Sequence, residues 1–148
     1  MIASGHREIA CAVLLDPHRR FLLQRRDDVS NILYPGKIGL FGGHREGEET
    51  FLECVVREVG EETGYLALPE RFEHLGSYVG PDLEVPNATV AGHYYVLRGV
   101  LAEALTVTEG SLLVLQEEEL ASLAQEFAPS VTVALRMLID KQPQVWVK

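Results

Sequence analysis

The stretch GHREGEETFLECVVREVGEETGY, residues 43–65, decides how the chain reads. Thr50 followed three residues later by Glu53 is a capping box, in which each side chain satisfies a backbone N–H that a helix start leaves unpaired. Leu52, Val55, Val56 and Val59 recur at i, i+3, i+4 and i+7, which is one apolar face of an α-helix. Gly64 supplies a stop. The spacing therefore predicts a helix over residues 50–63. On a wheel of about 100° per residue with Leu52 at zero, Glu61, Glu58 and Glu62 fall near 180°, 240° and 280°, an acidic stripe beside the expected buried face.

That stripe opposes the helix it sits on. Like charges at i,i+3 and i,i+4 cost roughly 0.2–0.5 kcal/mol per pair, and the macrodipole disfavours anions near a helix C-terminus. A hard divalent cation offers compensation, because Mg²⁺ takes oxygen ligands and keeps positions for water and substrate phosphates. Glu49 lies just before the helix. Gly42 and Gly43 carry no side chain, so a backbone carbonyl there is able to approach a metal closely. Arg57 is suited to orienting a carboxylate through a bidentate pair. An acidic face turned to solvent would show the same stripe, and these residues taken alone leave both readings standing.

The full spacing resembles the Nudix box: Gly, five residues, Glu, seven residues, Arg-Glu, an apolar residue, any residue, Glu-Glu, any residue, Gly and an apolar residue. Here the pattern falls on Gly43, Glu49, Arg57, Glu58, Val59, Glu61, Glu62, Gly64 and Tyr65. All seven fixed residue types match; chance agreement is on the order of 10⁻⁸ per window, so coincidence is discarded. Tyr65 is an aromatic where the family prefers an aliphatic, at a position that packs and does no chemistry.

The resemblance implies an α/β/α sandwich around a mixed β-sheet, built as a single domain over residues 1–148. It implies hydrolysis of a nucleoside diphosphate linked to another moiety, at the pyrophosphate bond, with Mg²⁺ or Mn²⁺. By analogy Glu58 and Glu62 are metal ligands, Glu61 is a ligand or a base for water, and the Gly43 carbonyl is a further ligand. Glu49 is expected to help hold the metal-bound water, and Arg57 to orient the glutamates. Some members add a carboxylate from a later loop, and Glu109 is the residue suited to that part. The end of the second strand often meets substrate phosphates in this family. Alternation along a strand lets only one of Arg25 and Arg26 face the site, and Arg25 is the expected one.

Outward from the box, Glu8–Leu15 and Arg20–Arg26 read as strands joined by the turn Asp16-Pro17-His18. YPGKIGLFGG (34–43) reads as a loop, a very short strand and a tight glycine turn. Strands are expected over 71–80, 92–101 and 112–115, and helices near 117–124 and over 130–139. Tyr94 and Tyr95 must face opposite sides of their strand, so one of them is expected in the core and the other remains available to a base. Cys54 is expected to be a structural thiol.

Composition narrows the partners. The 148 residues carry 22 acidic and 13 basic side chains, a formal charge of −9. Nucleic-acid affinity comes from clustered Lys and Arg, so no nucleic-acid partner is expected. No apolar run approaches the roughly 18 residues a membrane span needs, and none resembles a signal peptide. Cys11 and Cys54 form neither a CxxC nor a metal-ligand cluster and suggest reduced thiols in the cytoplasm. Homodimers are frequent in the family, although no patch in the sequence marks an interface.

The box speaks for the diphosphate chemistry and not for the attached group. Pro81 follows the box at a spacing similar to that in members acting on ADP-ribose, whereas the short chain is more like the MutT-type nucleoside triphosphate pyrophosphohydrolases. GLFGG in turn departs from the proline-glycine-glycine turn common in that group. Nucleoside triphosphates and nucleotide sugars are therefore both expected substrates. The rival class is a non-catalytic Nudix-like module that senses a nucleotide. Such modules usually lose box glutamates, and this chain keeps every one.

Overall fold

The computed structural model describes residues 5–141; the ends of the expected domain, residues 1–4 and 142–148, lie outside the described residues. Strand β1 (His6–Leu15) turns back into β2 (Phe21–Arg25). Asp16 holds that turn: its Oδ1 accepts from the backbone N–H groups of His18 and Arg20, and its Oδ2 accepts from Arg20 Nε at 2.6 Å. Then come β3 (Ile38–Gly39), β4 (Phe41–His44), α1 (Phe51–Thr63), β5 (Phe72–Pro81), β6 (Thr89–Leu97), β7 (Ser111–Leu115) and α2 (Pro129–Lys141). Two 3₁₀ segments, Glu117–Glu119 and Ala121–Glu126, stand in place of the helix expected near 117–124. So short a stretch does not repay α-helix nucleation, and the Gln116–Glu119 capping box closes a 3₁₀ turn instead.

Among the described residues seven strands form one mixed sheet. β1 lies parallel to β6 from His6↔Thr89 to Leu14↔Leu97, and β6 is antiparallel to β5. On its other edge β1 has two partners in succession. It pairs with β4 over Ile9–Ala12, and with β2 only at Leu14 and Leu15. β2 pairs with β7 over its whole length, so its short contacts with β1 and then with β3, at Gln24 and Arg25, share the opposite edge. The sheet therefore forks. Leu40 alone links β3 on one prong to β4 on the other.

Alternation divides the core between the two faces of the sheet. Ile9, Cys11, Val13 and Leu15 of β1 pack towards α2 with Val131, Ala134 and Leu138. Ala10, Ala12 and Leu14 pack towards α1 with Phe41, Cys54, Val55 and Val59. A strand covered on both faces reads as an unbroken apolar run, as β1 does. Tyr94 and Tyr95 do face opposite sides, but both are buried, one in each half of the core. Neither is left over for a base: Tyr94 lies in the α2-side core, and Tyr95 packs edge-on against Phe72 and His74 of β5.

Helix α1 begins and ends as the residues predict. Thr50 Oγ1 accepts from Glu53 N and Glu53 Oε1 accepts from Thr50 N, at 3.0 and 2.8 Å. Gly64 closes the helix in a left-handed conformation at φ 74°. The helix is rotated, however, from the expected orientation. Its buried residues are Cys54, Val55, Val59 and Thr63, while Leu52 and Val56 are only partly covered. Cys54 falls near 200° on the same wheel, so the buried arc runs across the positions of Glu58 and Glu62.

Candidate active site

A cavity of about 590 Å³ opens in the fork of the sheet. Gly42 and Gly43 of β4, Gly39 of β3, Gln24 of β2 and Glu58 and Glu62 of α1 line its acidic end, together with Glu109 from the loop before β7. The rotation of α1 turns two of the three stripe carboxylates inward. The third, Glu61, is more than half exposed and lies off the cavity, its carboxylate accepting from Arg57 Nη1 at 3.1 Å. Glu61 thus falls on the solvent side of the buried arc, tied to Glu58 through the shared Arg57 Nη1.

Glu62 is fixed from the strand side: its Oε1 accepts from Gly42 N at 2.9 Å. Burial pushes its carboxyl up to about 7, against the Gly42 N–H, with Glu58 and Glu109 adding repulsion. Burial also raises Glu58, with Arg57 opposing. Glu58, Glu62 and Glu109 make this end of the cavity acidic. Gly43 is the neighbour that permits it, since a Cβ there would lie 2.5 Å from the Glu58 carboxyl carbon. The Gly43 carbonyl accepts from Cys54 Sγ at 3.5 Å, which gives the buried thiol its structural place.

Arg57 organises the other side of Glu58. Its Nε and Nη2 grip Glu49 in a bidentate pair at 3.0 and 2.7 Å, Nη1 reaches Glu58 at 3.1 Å, and Nη2 also donates to the His44 carbonyl. The bond from Arg57 holds the Glu49 carboxyl down at about 2, and the same bond raises the Arg57 guanidinium above its ordinary value. Glu49 was expected to hold a water in the site. Instead both its oxygens are engaged, by Arg57 and by the Glu46 N–H, and it does not line the cavity.

Arg25 requires a correction. Its Nη1 donates to Glu126 Oε1 at 2.7 Å and to the Gly36 carbonyl at 3.0 Å, on the α2 side of the sheet and off the cavity. Arg26 lines the cavity instead, with its Nε donating to the Leu33 carbonyl at 2.7 Å. The alternation rule was sound but its phase was misjudged: Gln24 and Arg26 share the face that bears the acidic wall. Sequence reasoning also missed Gln24 and Tyr34. Counting by twos from Leu22, a residue of the α1-side core, would have found Gln24 and Arg26. Tyr34 has no comparable signal; its hydroxyl crosses from the β2–β3 loop to donate to the Leu83 carbonyl at 3.3 Å.

The wall's donors are all hard oxygens, which suit Mg²⁺ or Mn²⁺. Among the described residues no three His, Cys, Asp or Glu side chains converge to cage a metal ion. Mg²⁺ binds through one or two carboxylates, with water and substrate phosphates completing its shell. Glu58 and Glu62 would hold such an ion, with Gly43 and Glu109 lining the same cavity.

A forked mixed sheet between two helical layers, with an acid-lined cavity in the fork, is the architecture of a Nudix-type α/β/α protein. The model of the NUDIX domain matches residues 5–141, and the chain belongs to that family. Among solved structures it is similar to the MutT protein of Methanosarcina mazei, at TM-score 0.75 and 20% identity, over 96% of this chain and 99% of that one. A Nudix hydrolase from Nitrosomonas europaea gives TM-score 0.72 and 18% identity, over 93% and 91%. A bifunctional NMN adenylyltransferase/ADP ribose pyrophosphatase of Francisella tularensis, complexed with AMP and a manganese ion, gives 0.71 and 14%, over 93% of this chain and 42% of that one. Among curated relatives, the phosphatase NudJ of Escherichia coli K12 is 42% identical over 40 residues, 27% of this chain. That match spans 26% of the relative's length. Among the described residues no helix is long and apolar enough to cross a membrane.

Proposed function

We propose that this chain hydrolyses the pyrophosphate bond of a nucleoside diphosphate linked to a further group, with Mg²⁺ as its cofactor and Mn²⁺ as a substitute. One observation carries the reading: Glu58 and Glu62 stand half-buried on one wall of a cavity large enough for a nucleotide, held by Arg57 and by the Gly42 N–H. Neutralisation of diphosphate charge and a lowered pKa for water are what a divalent ion supplies when bound there. The chain's own residues do the rest. Arg57, pinned by Glu49, keeps the Glu58 carboxylate from swinging to solvent. Arg26 offers a guanidinium to the phosphates, the group best matched to them in geometry. Tyr34, Leu33 and Ile32 line the cavity beyond the acidic end, where the rest of the substrate would lie. Nucleoside triphosphates and nucleotide sugars both suit this plan, and the manganese and AMP bound by the Francisella protein support it by likeness of fold. Two buried free thiols suit a cytoplasmic setting.

The test is product release from nucleoside triphosphates, nucleotide sugars, ADP-ribose and dinucleoside polyphosphates, with Mg²⁺, with Mn²⁺ and with EDTA. Metal-dependent cleavage of one class, lost by at least about 10²-fold in Glu58→Gln, supports the proposal. Silence across the panel from folded, metal-binding protein, or full activity in Glu58→Gln, overturns it.

A further inference from the structure

Glu109 enters the cavity from a loop 85 residues beyond Gln24, yet one peptide unit of that loop is gripped from both sides. The carbonyl of Glu109 accepts from Gln24 Nε2 at 2.8 Å. The N–H of Gly110, in the same planar peptide, donates to Asp27 Oδ2 at 3.1 Å. Both holders come from one short run, the end of β2 and the residues after it. Gly110 has φ 70°, and a Cβ there would strike the Arg25 carbonyl oxygen. The chain therefore passes close over β2 at this point. Gln24 is itself buried, and this loop carbonyl is the acceptor its side-chain N–H meets there. A rigid peptide clamped at its C=O and its N–H fixes where the Glu109 Cα stands at the cavity. Glu109 thereby lines the same cavity as Glu58 and Glu62.

We propose that Gln24 is a positioning residue which, with Asp27, sets where the Glu109 carboxylate stands in the cation-binding wall. The inference rests on the reading of Glu58, Glu62 and Glu109 as one such wall, but not on any particular substrate.

The experiment is Mn²⁺ binding to the full chain without substrate, followed by calorimetry and by electron paramagnetic resonance. Glu109→Gln weakens binding by about tenfold, as loss of a charged partner should. Gln24→Met, similar in volume but without the amide, weakens it by about fivefold, the factor one neutral hydrogen bond commands. In the double variant the Gln24 effect vanishes, because nothing is left to position. Asp27 is exposed and gives a second arm that does not threaten folding. Asp27→Ala weakens Mn²⁺ binding by more than Asp27→Asn, which loses the same charge but keeps an acceptor for Gly110. Wild-type affinity in Gln24→Met, full additivity of the two single losses, unchanged binding in Glu109→Gln, or equal losses in the two Asp27 variants would overturn the proposal. If the wild type binds Mn²⁺ and shows this coupling but cleaves no diphosphate, the proposed function fails and the positioning role stands.

Discussion

Gly42 and Gly43 are adjacent, and replacing each by alanine separates the fold from the chemistry. At Gly43 the new Cβ would lie 2.5 Å from the Glu58 carboxyl carbon and 2.8 Å from its Oε1. Carbon contacts settle at about 3.5–4.0 Å, so the carboxylate must retreat by about 1 Å. It is the end of a flexible side chain and is free to do so. The loss is the 3.1 Å bond to Arg57, part-exposed and worth less than about 1 kcal/mol. Alanine for glycine in a strand returns roughly 0.5–1 kcal/mol. Stability should stay within about 1 kcal/mol, or about 4 °C in Tm for a domain of this size. A displacement of about 1 Å at a reacting centre, by contrast, costs on the order of 10²-fold in rate. At Gly42 the obstacle is backbone: the Cβ would strike the Ala10 carbonyl oxygen and come within 2.6 Å of Cys11 Cα, at φ 152°. β1 is packed on both faces and has nowhere to go, so Gly42→Ala should cost about 3 kcal/mol or more. Thermal unfolding by circular dichroism, run beside metal-dependent hydrolysis, reads both. Gly43→Ala hydrolysing within threefold of wild type, or melting as early as Gly42→Ala, would refute the reasoning.

Arg26→Ala should raise KM for a diphosphate substrate by about 10–100-fold, the worth of a charge-assisted bond, while Arg25→Ala leaves KM unchanged; initial-rate kinetics on both variants decides between the two arginines. Arg57→Lys keeps the charge but not the bidentate grip on Glu49, and should lower kcat about tenfold or more with a Tm shift of no more than about 4 °C. Acid should weaken the β1–β2 turn through Asp16. Burial alone would raise its carboxyl, but the bonds from the Arg20 backbone and guanidinium and the His18 amide together hold it below its ordinary 3.8. Its contribution is thus complete above that value and is lost as pH falls through the lower folded one. Asp16→Asn should therefore cost stability at pH 7 and progressively less below pH 3.8, and urea titrations at the two ends of that range would detect a difference of the wrong sign.

Much of this was legible because the acidic half of the site is local in sequence. Gly43, Arg57, Glu58 and Glu62 lie within one strand end, loop and helix, and their spacing carries a helix, its caps and an acidic stripe together. What the residues did not reveal was the roll of α1. A wheel drawn from aliphatic residues centres on Leu52, but buried Cys54 and Thr63 widen the arc, and this is what divides Glu58 and Glu62 from Glu61. Glu49 was legible in part: its proximity to the site is evident, while its capture by Arg57 depends on a side chain folding back by two turns. Arg25 and Arg26 differ only in strand phase, which neighbouring apolar residues determine once the face bearing α1 is known. Gln24 was invisible, since a single glutamine in a strand carries no pattern and its partner is 85 residues away.

The one-residue link at Leu40 divides the cavity into two halves with different freedom to change length. Phe41 is buried opposite Ala12, and Gly39 pairs with Gln24, so both ends of the link are locked in register. An insertion or deletion between Ile38 and His44 would turn Phe41 out of the core and shift both glycines from the acidic wall. The segments that reach the cavity's other end, residues 27–37 and 82–88, are loops joined across the mouth by Tyr34 and Leu83, and loops absorb added or lost residues far more readily. Divergence in the group attached to the diphosphate can therefore proceed by lengthening or shortening these two loops, while the seven residues from Ile38 to His44 keep a constant count.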